Sequence, residues 1–405
     1  MRVAFVVAFQ GLGGVGPACR YMAEALARLT PWSVTLTSLH DQAAPAGHEN
    51  GVAVHRLGLE TNTARHFLEW LRTHPQDVVI TANVPGIEAA YRFLPQSIVH
   101  ILQIHDPAGR YRAVALRHAA FVDGVTCVGH FFEPQLREQL ARSEFQGLLR
   151  TVPNGATFPP LVGRHPDQAV LRLLYVGRME PQKGVFDFPP LLARLRRQEV
   201  PVRLTLVGGH DATLARAFSR YGVADAVTWT GRLPHAECYR PATESDVALL
   251  LTRKEAFGMT AIEAMAMGCV PIAYDMRTGC REIIEHQKSG VLVPAGRLDL
   301  VASALASLHH DRQRLSALSA GAIDRARTCF ASDAVARSLI GFIDEVIERR
   351  PRHMPQRDTG EPSRSDDIPF APRRRGYQRL SSSIRKYAHR ILCSHPGLAN
   401  LVYNQ

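Results

Sequence analysis

Leu171-Arg-Leu-Leu-Tyr-Val176 runs straight into Gly177-Arg178-Met-Glu-Pro-Gln-Lys183-Gly184, and then into the helical apolar spacing of residues 185–198. A short apolar run, a basic glycine turn and an amphipathic helix make one βα unit. The same rhythm extends downstream. Residues 202–207, 226–230, 247–251, 270–274 and 290–293 read as strands, with helices over 185–198, 213–221, 259–267 and 299–326. It also extends upstream. Residues 2–9, 33–39, 52–57, 77–82, 98–104 and 124–128 read as strands, and 17–29, 63–73, 112–121 and 131–142 as helices. The rhythm blurs over the Pro- and Gly-rich residues 153–167, which read as an interdomain linker. Strands alternating with helices imply mostly parallel sheets, so the fold expected is α/β with two consecutive domains. Ligands of such sheets bind beyond the carboxyl ends of the strands, and two such domains facing each other would form a cleft.

The bulk properties agree. A chain of 405 residues suits two domains at about 100–200 residues each. With 46% apolar and 21% charged residues it is neither disordered nor fibrous. No apolar run reaches the roughly 18 residues of a membrane span. Residues 1–9 resemble a short signal segment, but they lead into Gly11-Leu-Gly-Gly-Val-Gly16, with no small-residue cleavage site, and read as a buried first strand. Seven scattered Cys without a Cys-x-x-Cys pair fit a reducing cytosol better than a disulfide or zinc framework. Of the net charge of +11, residues 350–405 carry +7, from eleven basic and four acidic side chains. The body is only mildly basic, and no nucleic-acid partner is expected.

Four constellations carry chemistry. Gly11, Gly13, Gly14 and Gly16 open a helix directly after the first strand, where a backbone can approach an anion or simply make a tight turn. Strand two lacks the acidic residue of a dinucleotide fingerprint, so a dehydrogenase is disfavoured. Arg178 and Lys183, five apart after a parallel strand, suit a diphosphate. Glu255-Ala-Phe257-Gly258-Met259-Thr260-Ala-Ile-Glu263 puts one carboxylate in a loop and one in the second turn of the next helix. Glu263 lies among apolar residues, where a carboxylate needs a partner. Sugar or ribose hydroxyls qualify, and amides at Met259 and Thr260 would face a phosphate. His105-Asp106 ends the strand 98–104, where a histidine either bonds a substrate or is merely structural.

In this order and spacing the segments resemble the retaining GT-B-fold glycosyltransferases of family 4, the glycosyl transferases group 1. The resemblance rests on Gly13-Gly14-Val15-Gly16, His105-Asp106, Val152-Pro153-Asn154-Gly155, Val176-Gly177-Arg178 and Lys183-Gly184. It continues through Leu206-Val207-Gly208, Thr230-Gly231-Arg232, the Glu255/Glu263 pair, Gly279, Glu282 and Gly290-Val-Leu-Val-Pro294. It implies two Rossmann-like domains across a cleft: residues 1–158 on the acceptor side and 168–330 on the nucleotide-sugar side. Residues 331–349 would be a helix crossing back, and 350–405 a basic linker and amphipathic tail. It further implies that Arg178 and Lys183 hold the diphosphate, Glu263 the ribose and Glu255 the transferred sugar. Gly14 and His105 would approach from the first domain. Gly208 and Gly231 would frame the base, with Phe257, Gly258, Met259 and Thr260 completing the donor site. Two positions depart from the family: Gly279-Cys280 stands where a Gly-Gly pair is common, and Gly129-His130 replaces a small polar residue, marking an acceptor-site change or a helix start.

The function implied is transfer of a sugar from a nucleotide-sugar donor to an acceptor hydroxyl with retention. The acceptor would be a sugar or a lipid-linked one, in surface polysaccharide or glycolipid synthesis. No Asp-x-Asp motif occurs, so neither metal nor cofactor is expected. A nucleotide-sugar epimerase of the same fold and a non-catalytic nucleotide-sugar-binding subunit are the rivals. Tyr377, Leu380, Ile384, Tyr387 and Ile391 recur at helical spacing among basic residues. The segment 373–393 therefore reads as a membrane-surface element, for an anionic inner leaflet, or as a self-packing stripe.

Overall fold

The computed structural model describes residues 1–10, 13–82, 84, 86–105, 117–161, 169–350 and 357–358. Gly11, Asp106, the start of the helix expected at 112–121, and the tail stripe at 373–393 lie outside them. The chain divides into two compact units. Unit 1 holds Met1–Thr157 and the chain from Cys329 onward through Asp358; unit 2 is Phe158–Thr328.

Unit 1 contains strands β1 (Arg2–Val7), β2 (Ser33–Ser38), β3 (Ala44–Glu49), β4 (Val52–Arg56), β5 (Val78–Ala82), β6 (Val99–Ile104), β7 (Gly124–Cys127) and β8 (Leu148–Thr151). Its helices are α1 (Val15–Leu29), α2 (Thr63–Thr73) and α3 (Glu133–Ala141). The sheet order is β3-β4-β2-β1-β5-β6-β7-β8, parallel except where β3 meets β4. Strands covered on both faces read as continuous apolar runs, and Val3–Val7 of central β1 are fully buried. β3, with sequence Ala-Pro-Ala-Gly-His-Glu, is exposed throughout; it has no apolar alternation to announce it.

Unit 2 contains β9 (Leu171–Val176), β10 (Val202–Val207), β11 (Val227–Gly231), β12 (Val247–Leu250), β13 (Val270–Asp275) and β14 (Val291–Pro294). They form an all-parallel sheet ordered β11-β10-β9-β12-β13-β14. Its helices are α4 (Phe188–Arg197), α5 (Ala212–Arg220), α6 (Tyr239–Thr243), α7 (Met259–Ala266), α8 (Gly279–Ile283), α9 (Leu298–His310) and α10 (Arg312–Cys329). The single helix expected over 299–326 is broken at Asp311, whose carboxylate accepts the Arg314 N–H at 2.9 Å and so caps α10.

After unit 2 the chain rejoins unit 1 as α11 (Ser332–Arg349). Its buried stripe Val335, Leu339, Phe342, Ile343 and Val346 joins the core of β1, β5 and α1. The segment beyond it, expected to be a linker, is fastened at its described residues. Arg357 is 5% exposed and Asp123 2%. Asp123 accepts from Arg350 Nε at 2.8 Å, from the Arg357 guanidinium at 3.2 Å and from the His100 N–H at 2.7 Å. Three donors on one carboxylate satisfy a charge that burial alone would not tolerate. Among the described residues no helix is long and apolar enough to cross a membrane.

Candidate donor site

In unit 2 the chain builds β9, β10 and β11 outward in one direction, then returns to place β12 on the other side of β9. The carboxyl ends of β9 and β12 are therefore the point where strand order reverses, the place at which such sheets bind ligands. The β9 loop brings Arg178 and Lys183 there; the β12 loop brings Glu255. Gly184 makes their meeting possible. Its φ is +73°, and a Cβ on it would stand 1.8 Å from the Leu251 carbonyl oxygen, so the turn can lie against the end of β12 only as glycine. Lys183 Nζ reaches Glu255 Oε2 at 2.7 Å, each side chain about one-fifth exposed. Arg178 points elsewhere: it is 69% exposed and pairs with Glu180 at 2.8 Å.

A buried network the sequence did not reveal braces these two loops. Asp187 accepts from Arg253 with both oxygens at 2.9 Å and from the Tyr274 hydroxyl at 2.7 Å. The Arg253 N–H also donates to the Gln182 carbonyl at 2.9 Å. The residue beside Lys183 and the residue two before Glu255 are thus joined directly. Burial, together with the Asp187 charge, pushes the Tyr274 hydroxyl up, so it stays a donor. Arg253 and Asp187 are 66 positions apart, and no local pattern connects them.

Glu263, in α7, has the partner that its setting among apolar residues requires. The partner is His235, whose Nε2 stands 2.8 Å from Glu263 Oε1. Their surroundings are Leu174, Val176, Cys238, Tyr239, Ala242, Thr260 and Ala264. Gly258, at φ +113°, precedes α7, and the first amides bonded back within it are those of Ala261 and Ile262, to the Gly258 carbonyl. Phe257 is buried, while Met259 and Thr260 are half-buried. Gly208 follows β10 and Gly231 ends the neighbouring β11, and the Gly208 N–H donates to the Gly231 carbonyl at 2.9 Å. Cys280 is buried with its sulfur beside Gly258, and burial pushes its thiol up to about 12, so it packs as a neutral side chain.

In unit 1, Gly14 immediately precedes α1 and is exposed. Gly16 follows because a Cβ there would meet the Phe9 carbonyl oxygen at 2.2 Å. His105 is 3% exposed, immediately after β6. Burial pushes it down to about 3, against a hydrogen bond with the Asn154 side chain that favours the charged form. Its Nε2 lies 3.8 Å from the Cys19 sulfur. His105 is therefore a neutral imidazole, held by the Asn154 of the Val152-Pro153-Asn154-Gly155 stretch. His130 is exposed and lies 3.4 Å from Glu133 at the start of α3. Among the described residues, no cluster of three or more His, Cys, Asp or Glu side chains is placed to hold a metal.

A carboxylate on a lysine and a second on a histidine, at a strand-order reversal, coincide with a match to a known family. Residues 166–325 match the model of the glycosyl transferases group 1 family. The chain is 33% identical over 198 residues to a D-inositol 3-phosphate glycosyltransferase of Thermobispora bispora, covering 45% of each chain. It therefore spans less than half the length of that curated relative. The chain is similar in fold to sucrose-phosphate synthase from Thermosynechococcus elongatus, with a TM-score of 0.70 at 19% identity, over 86% of this chain and all of that one. It is likewise similar in fold to Anabaena HepE, solved in complex with UDP, with a TM-score of 0.66 at 16% identity, over 85% of this chain and all of that one. The fold is GT-B, with two α/β units built on largely parallel sheets.

Proposed function

We propose that this protein is a glycosyltransferase that moves a hexosyl-type sugar from a nucleotide-diphosphate donor to an acceptor hydroxyl, with retention of configuration. The Lys183–Glu255 pair carries the reading, because it joins a cation and a hydroxyl-binding carboxylate across the point where unit 2's strand order reverses. Lys183 and Arg178 would take the diphosphate, and the amides of Met259 and Thr260 would face its oxygens. Glu255, released from Lys183, would accept from the sugar's hydroxyls, and Glu263 from the ribose. Gly208 and Gly231 frame the base. Unit 1 by itself offers Gly14 and the neutral ring of His105. His105 acts as a hydrogen-bonding group, since an imidazole held this far from its charged form is no acid.

The step is balanced without an outside reagent. The bond from the anomeric carbon to the leaving phosphate oxygen breaks. The acceptor oxygen bonds to the same face of that carbon, and its proton passes to the departing phosphate oxygen. Negative charge grows on the diphosphate as the bond stretches, and a cation held beside it, as Lys183 would be, lowers the barrier. Glu255 is a binding group in this scheme, not a covalent nucleophile. No cofactor or metal is required. Transfer to a sugar or lipid-linked acceptor in surface polysaccharide or glycolipid synthesis, on the cytoplasmic face, fits a tail at 373–393 that combines a basic flank with an apolar stripe. The test is incubation with UDP-, GDP- and ADP-sugars and candidate acceptors, with and without EDTA. Free nucleoside diphosphate and an α-retained glycoside, insensitive to EDTA, are expected; an isomerised nucleotide-sugar, or activity lost on chelation and restored by magnesium, would refute this account.

A further inference from the structure

The partner of Glu263 was sought in a ligand, yet the protein supplies one itself. His235 begins the short turn after β11 and is held there by a 2.9 Å bond from the Glu237 N–H to the Pro234 carbonyl. Its ring stands edge-on to Tyr239, with centroids 5.7 Å apart. The Glu263 side chain is 13% exposed, whereas that of His235 is 44% exposed. One partner is thus fixed in the wall and the other lies at its mouth, where it can turn away into water.

We propose that His235 is an exchangeable counter-ion: it holds the Glu263 carboxylate and yields it when a nucleoside diphosphate brings its ribose hydroxyls, so nucleotide binding is coupled to release of a proton. The proposal rests on the reading of Glu263 as the ribose carboxylate and adds the residue that competes for it. A carboxylate offers about four acceptor positions over two oxygens. A vicinal diol fills both oxygens, and Oε1 is the one His235 occupies. The hydrogen bond and the charge of Glu263 hold His235 in its charged form above the usual histidine range, against the opposing effect of burial. Glu263 is the charge that acts on His235. β9 presents Leu174 and Val176, and α7 presents Thr260 and Ala264 beside Glu263. On its own segment, Tyr239 is a phenol, and burial with the charges of Glu263 and Glu237 keeps the Cys238 thiol protonated. Glu237 is the remaining carboxylate, next to Cys238 in the same turn.

Once Glu263 is taken by ribose, His235 loses what sustains its proton. Affinity must then rise with pH as the competing imidazolium disappears. The experiment measures binding of UDP, GDP and ADP by calorimetry at pH 5.5 and pH 8. It compares the full chain with His235→Ala and with His235→Gln, which keeps a donor but no charge. Protonation of the nucleotide's own phosphate affects all three proteins alike. The wild type should gain more affinity than either variant between the two pH values, because only it loses a proton-linked competitor as pH rises. At pH 5.5 both variants should bind more tightly than the wild type. Equal pH profiles, or weaker binding by His235→Ala at both pH values, would overturn the exchange while leaving the donor site standing. Unchanged affinity in Glu263→Ala, or no binding of any of the three nucleotides, would instead remove the ribose reading and this proposal with it.

Discussion

The two units use histidine in opposite ways. In unit 1, His100 and His105 are buried at the two ends of one strand, and burial pushes both down to about 3. In unit 2, His235 is half-open to solvent, and its hydrogen bond to Glu263 favours the charged form. The contrast extends to the other site residues. Unit 1 sets His105 beside the neutral groups Asn154 and Cys19, the latter in turn bonded to Gln103. Unit 2 lines the carboxyl ends of its strands with ion pairs that are partly open to water: Lys183–Glu255, Arg178–Glu180 and His235–Glu263. Neutral buried groups serve fixed hydrogen bonding. Exposed pairs can exchange their partners for the charges and hydroxyls of a ligand, because little is lost when water or a ligand replaces either member.

The strongest way to break this comparison lies beneath unit 2's open pairs. Asp187→Ala leaves the Arg253 guanidinium buried and uncompensated, and should destabilise unit 2 by about 3–5 kcal/mol. Chemical denaturation would show it; a loss below about 1 kcal/mol would mean the network is not the brace described. Acid acts on the other unit. His100 and His105 bind protons when unfolded but not when folded, so their contribution is complete above about pH 6.5 and falls as pH drops toward 3. At pH 5 each should cost roughly 2 kcal/mol. Scanning calorimetry should therefore show the unit 1 transition moving down before that of unit 2, and a shift confined to unit 2 would reverse the assignment.

Lys183→Ala should reduce sugar transfer by about 10²–10³-fold, the usual effect of removing one fixed stabiliser of transition-state charge, with melting temperature nearly unchanged. Glu263→Ala should weaken binding of a bare nucleoside diphosphate by about 1.5–3 kcal/mol, the range for a charged hydrogen bond. Glu255→Ala should instead weaken the nucleotide-sugar more than the bare nucleotide. Calorimetric titration of both ligands orders the pair, and the reverse order would exchange their roles.

The sheets were legible because buried parallel strands are continuous apolar runs: β9 and β10 were readable to the residue. β3 was not, since it is polar and exposed, nor β8, a half-buried run of only four residues. The break at Asp311 was hidden inside one long helical pattern. Of the site, spacing located the Glu255 and Glu263 segment, and the cost of burying a charge announced that Glu263 must have a partner. It did not name His235, which lies 28 positions away on another element. The same limit concealed Asp187 and Arg253. His105 was placed at its strand end correctly, but its burial depends on Cys19 and Asn154, neither of which is near it in sequence.

The central claim is that the open pairs of unit 2 form a nucleoside-diphosphate site. Thermal unfolding of the full chain with UDP, GDP and ADP, for the wild type and Lys183→Ala, tests it most directly, because specific binding raises the melting temperature by mass action. The account predicts a concentration-dependent rise with at least one of the three and its loss in the variant. No rise with any, or an equal rise in Lys183→Ala, would contradict it.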